Sequence, residues 1–236
     1  MTASVRARRW RWAALGLAAA VLAVAGPYVY IHLIEGKAPA RLSVAAGPST
    51  GQTALSAGSP TNAPLSGVWK VTSGSQAGYR VKEVLFGQNS EAAGRTSAVT
   101  GQMTLQGTQI TDGSFSVDLT SVQSDQSRRD AQFQERIMDT STFPTATFAL
   151  ASPIDLPSVP ADGADLSVKA SGRLTLHGTT RPLTVALAAR RSGATIRVSG
   201  SVPVRFADWS IPNPSFGPVT TEDHGLIEFL LVLSHG

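Results

Sequence analysis

Apolar and polar residues alternate with a period of two along much of the chain after residue 98, and this pattern restricts the fold more than any other feature. An alternating segment forms a strand with one apolar and one polar face. A sheet of such strands must cover its apolar face with helices, with a second sheet or by closing on itself. The alternating apolar residues are Val99, Gly101, Met103 and Leu105, then Phe115, Val117 and Leu119, then Leu166, Val168, Ala170, Gly172, Leu174 and Leu176, then Leu183, Val185 and Leu187, and finally Ile196, Val198, Gly200, Val202, Val204 and Phe206.

After residue 66, one segment is typical of a helix, residues 128–138. A helix of about three turns cannot cover about eight or nine strands. Closure into a barrel remains, or a sandwich, and closure also removes exposed strand edges. The dipeptides Gln106-Gly107, His177-Gly178 and Ser192-Gly193 indicate hairpins between neighbouring strands. The sequence therefore predicts a mainly-β fold, an antiparallel up-and-down barrel with one short helix capping one end.

The predicted helix has recognisable start and stop signals. Ser127 and Asp130 fit a capping box, and Phe133 and Ile137, four positions apart, give the helix one apolar face. Phe143-Pro144 then requires an extended backbone. Residues 145–150 alternate again, so the helix leads directly into a further strand.

The barrel interior could be packed or hollow. An eight-stranded barrel is filled by its own side chains or holds one small ligand. The predicted inner face consists mainly of Val, Leu, Ala and Gly, and aromatic residues form only 6% of the chain. Small side chains leave space, and an apolar cavity with few polar groups selects a long hydrocarbon. Gly101, Gly172 and Gly200 have a second interpretation, as bends at barrel corners.

The first 66 residues differ in composition from the rest. Residues 13–34 are apolar and long enough to span a bilayer, and the arginines before them favour a cytoplasmic N-terminus. The alternative is a cleaved signal peptide, because Ala23-Val24-Ala25 has the form of a cleavage site. Residues 36–66 are rich in Ala, Pro, Gly, Ser and Thr, which predicts a flexible linker. We expect three parts: a basic stub and transmembrane anchor (1–35), the linker (36–66) and the barrel domain (67–236).

Charge and residue types exclude several function classes. Residues 1–66 contain six basic residues and one acidic residue, whereas the remainder contains 14 basic and 15 acidic residues. A nucleic-acid-binding domain would need a basic patch on the folded part. The chain has no cysteine, which excludes thiolate metal sites. Asp223 and His224 are ligand types without an identifiable third ligand, so an enzyme using them with Arg129 is only the third hypothesis.

A set of motifs follows in order along residues 67–236. They are Trp69-Lys-Val, the Arg129-Asp130 pair with its helix, the Phe143-Pro-Thr step into a strand, Gly172-Arg-Leu-Thr-Leu-His-Gly178 running into Thr180-Arg-Pro-Leu183, and Phe206-Ala-Asp-Trp209 before a final apolar strand. In these motifs the chain resembles the YceI-like family of secreted lipid-binding domains. The resemblance implies a lipocalin-like β-barrel with a sealed apolar cavity for a polyisoprenoid or a similar lipid.

We therefore predict a membrane-anchored extracytoplasmic protein that holds a polyisoprenoid, quinone-like or fatty chain, with no cofactor, metal or catalytic residue. The alternative is a packed barrel that serves as an interaction module of the cell envelope. A homo-oligomer is compatible with the sequence. Arg129 and Asp130 are head-group candidates, because an arginine at a helix start favours anions; otherwise they cap the helix. The candidate residues of the interior and lid are Val99, Met103, Phe115, Val117, Leu119, Phe133, Ile137, Phe148, Leu174, Val185, Leu187, Val198, Phe206 and Phe229.

Overall fold

A computed structural model describes residues 38–45, 65–85, 87–158, 161–217 and 219–236. Within these ranges one α-helix, α1 (Ser127–Gln132), continues into a π-helical turn (Phe133–Ile137), and two short 3-10 helices span Leu119–Ser121 and Phe206–Trp209. The strands are β1 (Gly67–Val71), β2 (Gln76–Leu85), β3 (Gln88–Thr96), β4 (Val99–Gln106), β5 (Gln109–Asp118), β6 (Thr145–Leu150), β7 (Ile154–Asp155), β8 (Asp165–Leu176), β9 (Thr179–Ser192), β10 (Thr195–Arg205), β11 (Val219–Thr221) and β12 (His224–His235).

The strands form a closed antiparallel barrel, as the one-sided alternation predicts. Eight strands follow one another around it in the order β1-β4-β5-β6-β8-β9-β10-β12, and β12 pairs with β1 to complete the circle. At this closure Trp69 lies opposite His235, and Val71 lies opposite Leu233. The β2–β3 hairpin extends the wall, because β2 pairs with the first half of β12. The antiparallel barrel is therefore confirmed, but its order is not simply up-and-down, because β1 pairs with β4 and the β2–β3 hairpin between them in sequence lies outside the circle.

The predicted hairpin at His177-Gly178 connects β8 to β9. Leu176 pairs with Thr179, so the loop has two residues. His177 has φ 48° and Gly178 has φ 71°. Two left-handed residues give the turn whose twist matches that of the flanking strands. This geometry explains why a glycine stands at the second position.

The interior glycines make room for aromatic rings. A Cβ atom built on Gly172 would lie 2.1 Å from Cζ of Phe148, and one built on Gly200 would lie 2.7 Å from Cζ of Phe229. The rings therefore rest against the barrel wall, where a larger residue would push them towards the axis. Phe115 covers Gly101 in the same way. These contacts explain why glycine stands at the three positions, and their role as corner bends stays a prediction.

The helix begins with contacts that differ from the predicted capping box. Its N-cap is Gln126, which makes no side-chain capping bond. The carboxylate of Asp130 instead accepts hydrogen bonds from the backbone N–H of Ser124 at 2.7 Å and from its hydroxyl at 2.6 Å. Because Asp130 folds back onto the preceding loop, Ser127 has no capping role. Phe133 and Ile137 do share one face of the helical segment, and both face the barrel interior.

Residues 38–45, which the sequence places in the flexible linker, lie against the outer wall of the barrel. The guanidinium Nη2 of Arg80 donates to the carbonyl of Pro39 at 2.7 Å, and the N–H of Val44 donates to Oγ of Ser199 at 3.2 Å. Val44 is buried. These residues are ordered by contacts with the barrel. Their own sequence has no periodicity and does not indicate those contacts. We call residues 38–45 the docked segment.

Buried charges lie beneath the docked segment. Nη2 of Arg80 and Nη2 of Arg95 donate to Oε1 of Glu228 at 3.0 and 2.8 Å, and Nη1 of Arg80 donates to Glu91 at 2.7 Å. The side chains of Arg80 and Glu228 are only 3% and 4% exposed. Buried charges of this kind are tolerated because they are paired and hydrogen-bonded.

None of the helices among the described residues is both long and apolar enough to cross a bilayer. The predicted anchor at residues 13–34, its alternative cleavage site and most of the linker lie outside the described residues.

Candidate functional site

The barrel interior contains an inner apolar chamber of about 190 Å³. Its walls come from strands on every side of the barrel, because each of them directs alternate side chains inward. The interior of the barrel is therefore hollow, in agreement with the small side chains of the predicted inner face.

A larger outer chamber of about 670 Å³ lies beneath α1 and the π-helical turn. Its volume falls within the range of pockets that bind small molecules. Phe133 and Ile137 form its lid, and Leu119 and Phe206 belong to its wall. Glu83 and Arg129 add polar groups on one side.

The two chambers meet at a shared ring of side chains. Ala77, Val117, Ala146 and Ile227 line both of them. Ala77 and Ala146 are buried and small. These four side chains are therefore the boundary between the two chambers. A ligand that occupied both chambers would have to pass between them.

Every apolar residue assigned to the interior from the sequence lines one of the chambers, and its contact with a ligand stays a prediction. The inner chamber is lined by Val99, Met103, Phe115, Phe148, Leu174, Val185, Leu187, Val198 and Phe229. The outer chamber is lined by Leu119, Phe133, Ile137 and Phe206, and Val117 belongs to both.

The two head-group candidates occupy different places. Arg129 lies on the wall of the outer chamber, where its Nη2 is 3.8 Å from Oε1 of Glu83 and its Nη1 contacts Asp125. The carboxylate of Asp130 is held by Ser124, outside the set of chamber-lining side chains. The structure therefore brings Arg129, and not Asp130, to the cavity.

Strand β2 contributes two further polar residues that sequence reasoning missed. Glu83 and Tyr79 both point into the outer chamber, at alternate positions of the strand. The Tyr79 ring stacks on that of Phe133, with centroids 4.9 Å apart and planes 10° apart. Burial raises the pKa of the Tyr79 hydroxyl well above its usual value, so it stays protonated. The sequence does contain a signal for them. Ala77, Tyr79 and Val81 occupy alternate positions, and continuing this pattern puts Glu83 on the inward face.

The residues considered for chemistry lie apart from the cavity. His224 is exposed, with Nδ1 2.8 Å from Asp223 and Nε2 3.2 Å from Glu222. These neighbours are adjacent in sequence and form a surface cluster at the start of β12. In the part of the chain that the structure describes, no group of three or more His, Asp or Glu side chains is placed to hold a metal ion.

Comparison with known proteins agrees with this geometry. A polyisoprenoid binding domain from Saccharophagus degradans, implicated in plant cell wall breakdown, superposes with a TM-score of 0.58 at 18% identity, covering 72% of this chain and 99% of that one. BcnA of Burkholderia cenocepacia superposes with a TM-score of 0.50 at 21% identity, covering 66% and 95%. These likenesses show the fold.

The family assignment comes from the sequence itself. No curated protein matches the chain in a sequence search. The model of the YceI-like domain matches residues 69–233, which run from within the first barrel strand, β1, to within the last, β12. The chain therefore belongs to the YceI-like family.

Proposed function

We propose that this protein binds one long apolar lipid, a polyisoprenoid or a similar chain, inside its barrel and performs no catalysis. One observation carries this proposal: two largely apolar chambers lie next to each other inside the barrel and share four lining side chains, so a long chain can occupy both once the side chains between them give way. The name of the structurally similar polyisoprenoid binding domain supports the same ligand class.

The energetics of such a complex come from burial alone. Each methylene group transferred from water to an apolar wall contributes about 0.8 kcal/mol. A chain of many isoprene units gains enough from burial to bind without many hydrogen bonds. Methyl branches at regular intervals also fill a wall of mixed Val, Leu and Ala side chains better than a bare chain does.

The chambers argue against the packed-barrel alternative. An interaction module without a ligand would bring bulky side chains together along the barrel axis. Here Phe148 and Phe229 lie against glycines instead, which leaves space between the walls. The lipid-binding function is therefore the better supported of the two.

The proposed location is the extracytoplasmic face of the membrane, with residues 13–34 as a single-pass anchor; secretion after signal cleavage is the alternative. The arginines before residue 13 support this orientation. Pro39, in the docked segment, is bound to Arg80 of the barrel. The five residue steps from Ile34 to Pro39 span at most about 18 Å when extended. The anchor would thus hold the barrel close to the membrane that supplies its lipid.

A thermal titration tests the ligand class. Full-length protein freed of lipid is mixed with increasing amounts of a long polyprenol, and its Tm is followed by calorimetry. A ligand that binds only the folded state adds about 2.7 kcal/mol at a concentration of 100 times Kd, so the Tm rises with concentration. A five-carbon isoprenoid alcohol is the control, and it should leave the Tm unchanged. An unchanged Tm with the long polyprenol would contradict the proposed function.

A further inference from the structure

The outer chamber has one polar side, which would lie next to the polar head group of a bound lipid. On β2, Glu83 occupies an inward position between Val81 and Leu85, and it is 8% exposed. Arg129 reaches the same side from α1. A lipid whose tail enters the junction would leave its head group beside these two side chains.

The charges on this side compensate one another. Arg129 is shared between two carboxylates, those of Glu83 at 3.8 Å and Asp125. Arg128 is the other cation on the wall, and it is exposed. Two carboxylates already lie beside the guanidinium of Arg129, so its positive charge is largely compensated before an anionic head group could bind. Because buried charges interact strongly in a poorly solvated site, the Glu83 carboxylate would repel a phosphate.

The distance between Arg129 and Glu83 suits a hydroxyl group better than a phosphate. The 3.8 Å between Nη2 of Arg129 and Oε1 of Glu83 exceeds the length of a direct hydrogen bond. A hydroxyl group can accept from a guanidinium and donate to a carboxylate at once. A fully ionised phosphate can only accept. The protonated hydroxyl of Tyr79 adds a further neutral group to the same wall.

We propose that the Glu83–Arg129 side of the outer chamber selects a lipid with an uncharged hydroxyl head group, such as a prenyl alcohol, over its phosphorylated form. This specificity rests on the proposed function, because it applies only to a lipid that enters the barrel. It assigns to Arg129 the role of a hydrogen-bond donor rather than that of an anion clamp.

The test compares two ligands that differ only in the head group. Binding of a polyprenol and of the polyprenyl monophosphate of equal chain length to the full-length protein is measured by displacement of a fluorescent lipid. We expect the alcohol to bind about tenfold more tightly or better. Glu83→Gln removes the repelling charge while keeping the shape, so it should reduce this ratio to about threefold or less. Glu222→Gln, an exposed carboxylate at the barrel rim, is the matched control and should leave the ratio unchanged.

The results distinguish the head-group specificity from lipid binding itself. Equal binding of both ligands, or tighter binding of the phosphate, would overturn the head-group specificity while leaving lipid binding intact. Binding of neither ligand would refute the proposed function and this inference with it. The comparison on the unmodified protein needs no variant, so it decides the question even if Glu83→Gln does not fold.

Discussion

The junction between the chambers offers the sharpest perturbation of the proposed ligand path. Ala146 lines both chambers and is buried, so Ala146→Leu places a larger side chain where a ligand would pass. The inner chamber of about 190 Å³ has room for roughly six water-sized groups at about 30 Å³ each, or about one five-carbon isoprene unit. Each carbon of a ligand of this size contributes about 0.3 kcal/mol to the binding free energy. Excluding one isoprene unit from the inner chamber therefore weakens binding by about 1.5 kcal/mol. That is roughly a tenfold weaker Kd.

The assay is a titration of the variant with two polyprenols of different length. The long one should lose about tenfold in affinity, whereas one too short to pass the junction should bind as before. Ala149→Leu, on the outward and exposed face of the same strand, is the control. Both variants are first checked for an unchanged melting transition. Long-chain affinity that survives Ala146→Leu in a folded protein would refute the reasoning that the tail passes this point.

Three further predictions concern the barrel wall. Glu228→Ala removes the carboxylate that the buried Arg80 and the half-buried Arg95 share, so the free energy of unfolding in urea should fall by about 3–5 kcal/mol, against less than about 0.5 kcal/mol for the exposed Glu222→Ala. Burial raises the pKa of Glu228, but hydrogen bonds from the two arginines outweigh it and hold the pKa below its ordinary value of 4.5. The folded state should therefore lose stability as pH falls below about 4.5, and Glu228→Gln should flatten that part of the stability curve measured by denaturation. Gly172→Ala brings a methyl group into the ring of Phe148 and should weaken both lipid binding and thermal stability, whereas Gly113→Ala, with its nearest neighbour at 3.6 Å, should not lower thermal stability.

The barrel could be predicted from the sequence because it follows from the alternation of apolar and polar residues within individual strands. Alternation along β4, β8 and β10 decides which face of each strand is apolar, and a single short helix leaves closure as the way to cover those faces. The interior list followed from the same period, which is why side chains as far apart in sequence as Val99 and Phe229 share one chamber.

The features that sequence reasoning missed depend on pairing between distant segments. The position of Phe148 over Gly172 is set by the register of β6 against β8, which no local pattern encodes. The docked segment is held by Arg80 and Ser199, which lie far from it along the chain. The capping prediction for Ser127 failed for a related reason, since Asp130 had a competing partner in the preceding loop.

The polar side of the outer chamber was only half visible in the sequence. Arg129 stood out beside the helix start, but its partner Glu83 lies on a strand whose alternation is weak. Only the fold brings the two within 3.8 Å and makes the wall compensated rather than basic. The proposed preference for a neutral hydroxyl head group depends on this pairing.

The central claim is that the barrel is built around a space for one long apolar chain. The most direct measurement is native mass spectrometry of the purified full-length protein, followed by extraction and identification of what it carries. The account predicts one apolar lipid per chain, released on denaturation. A protein that carries no lipid and takes up none when long polyprenols are supplied would contradict it.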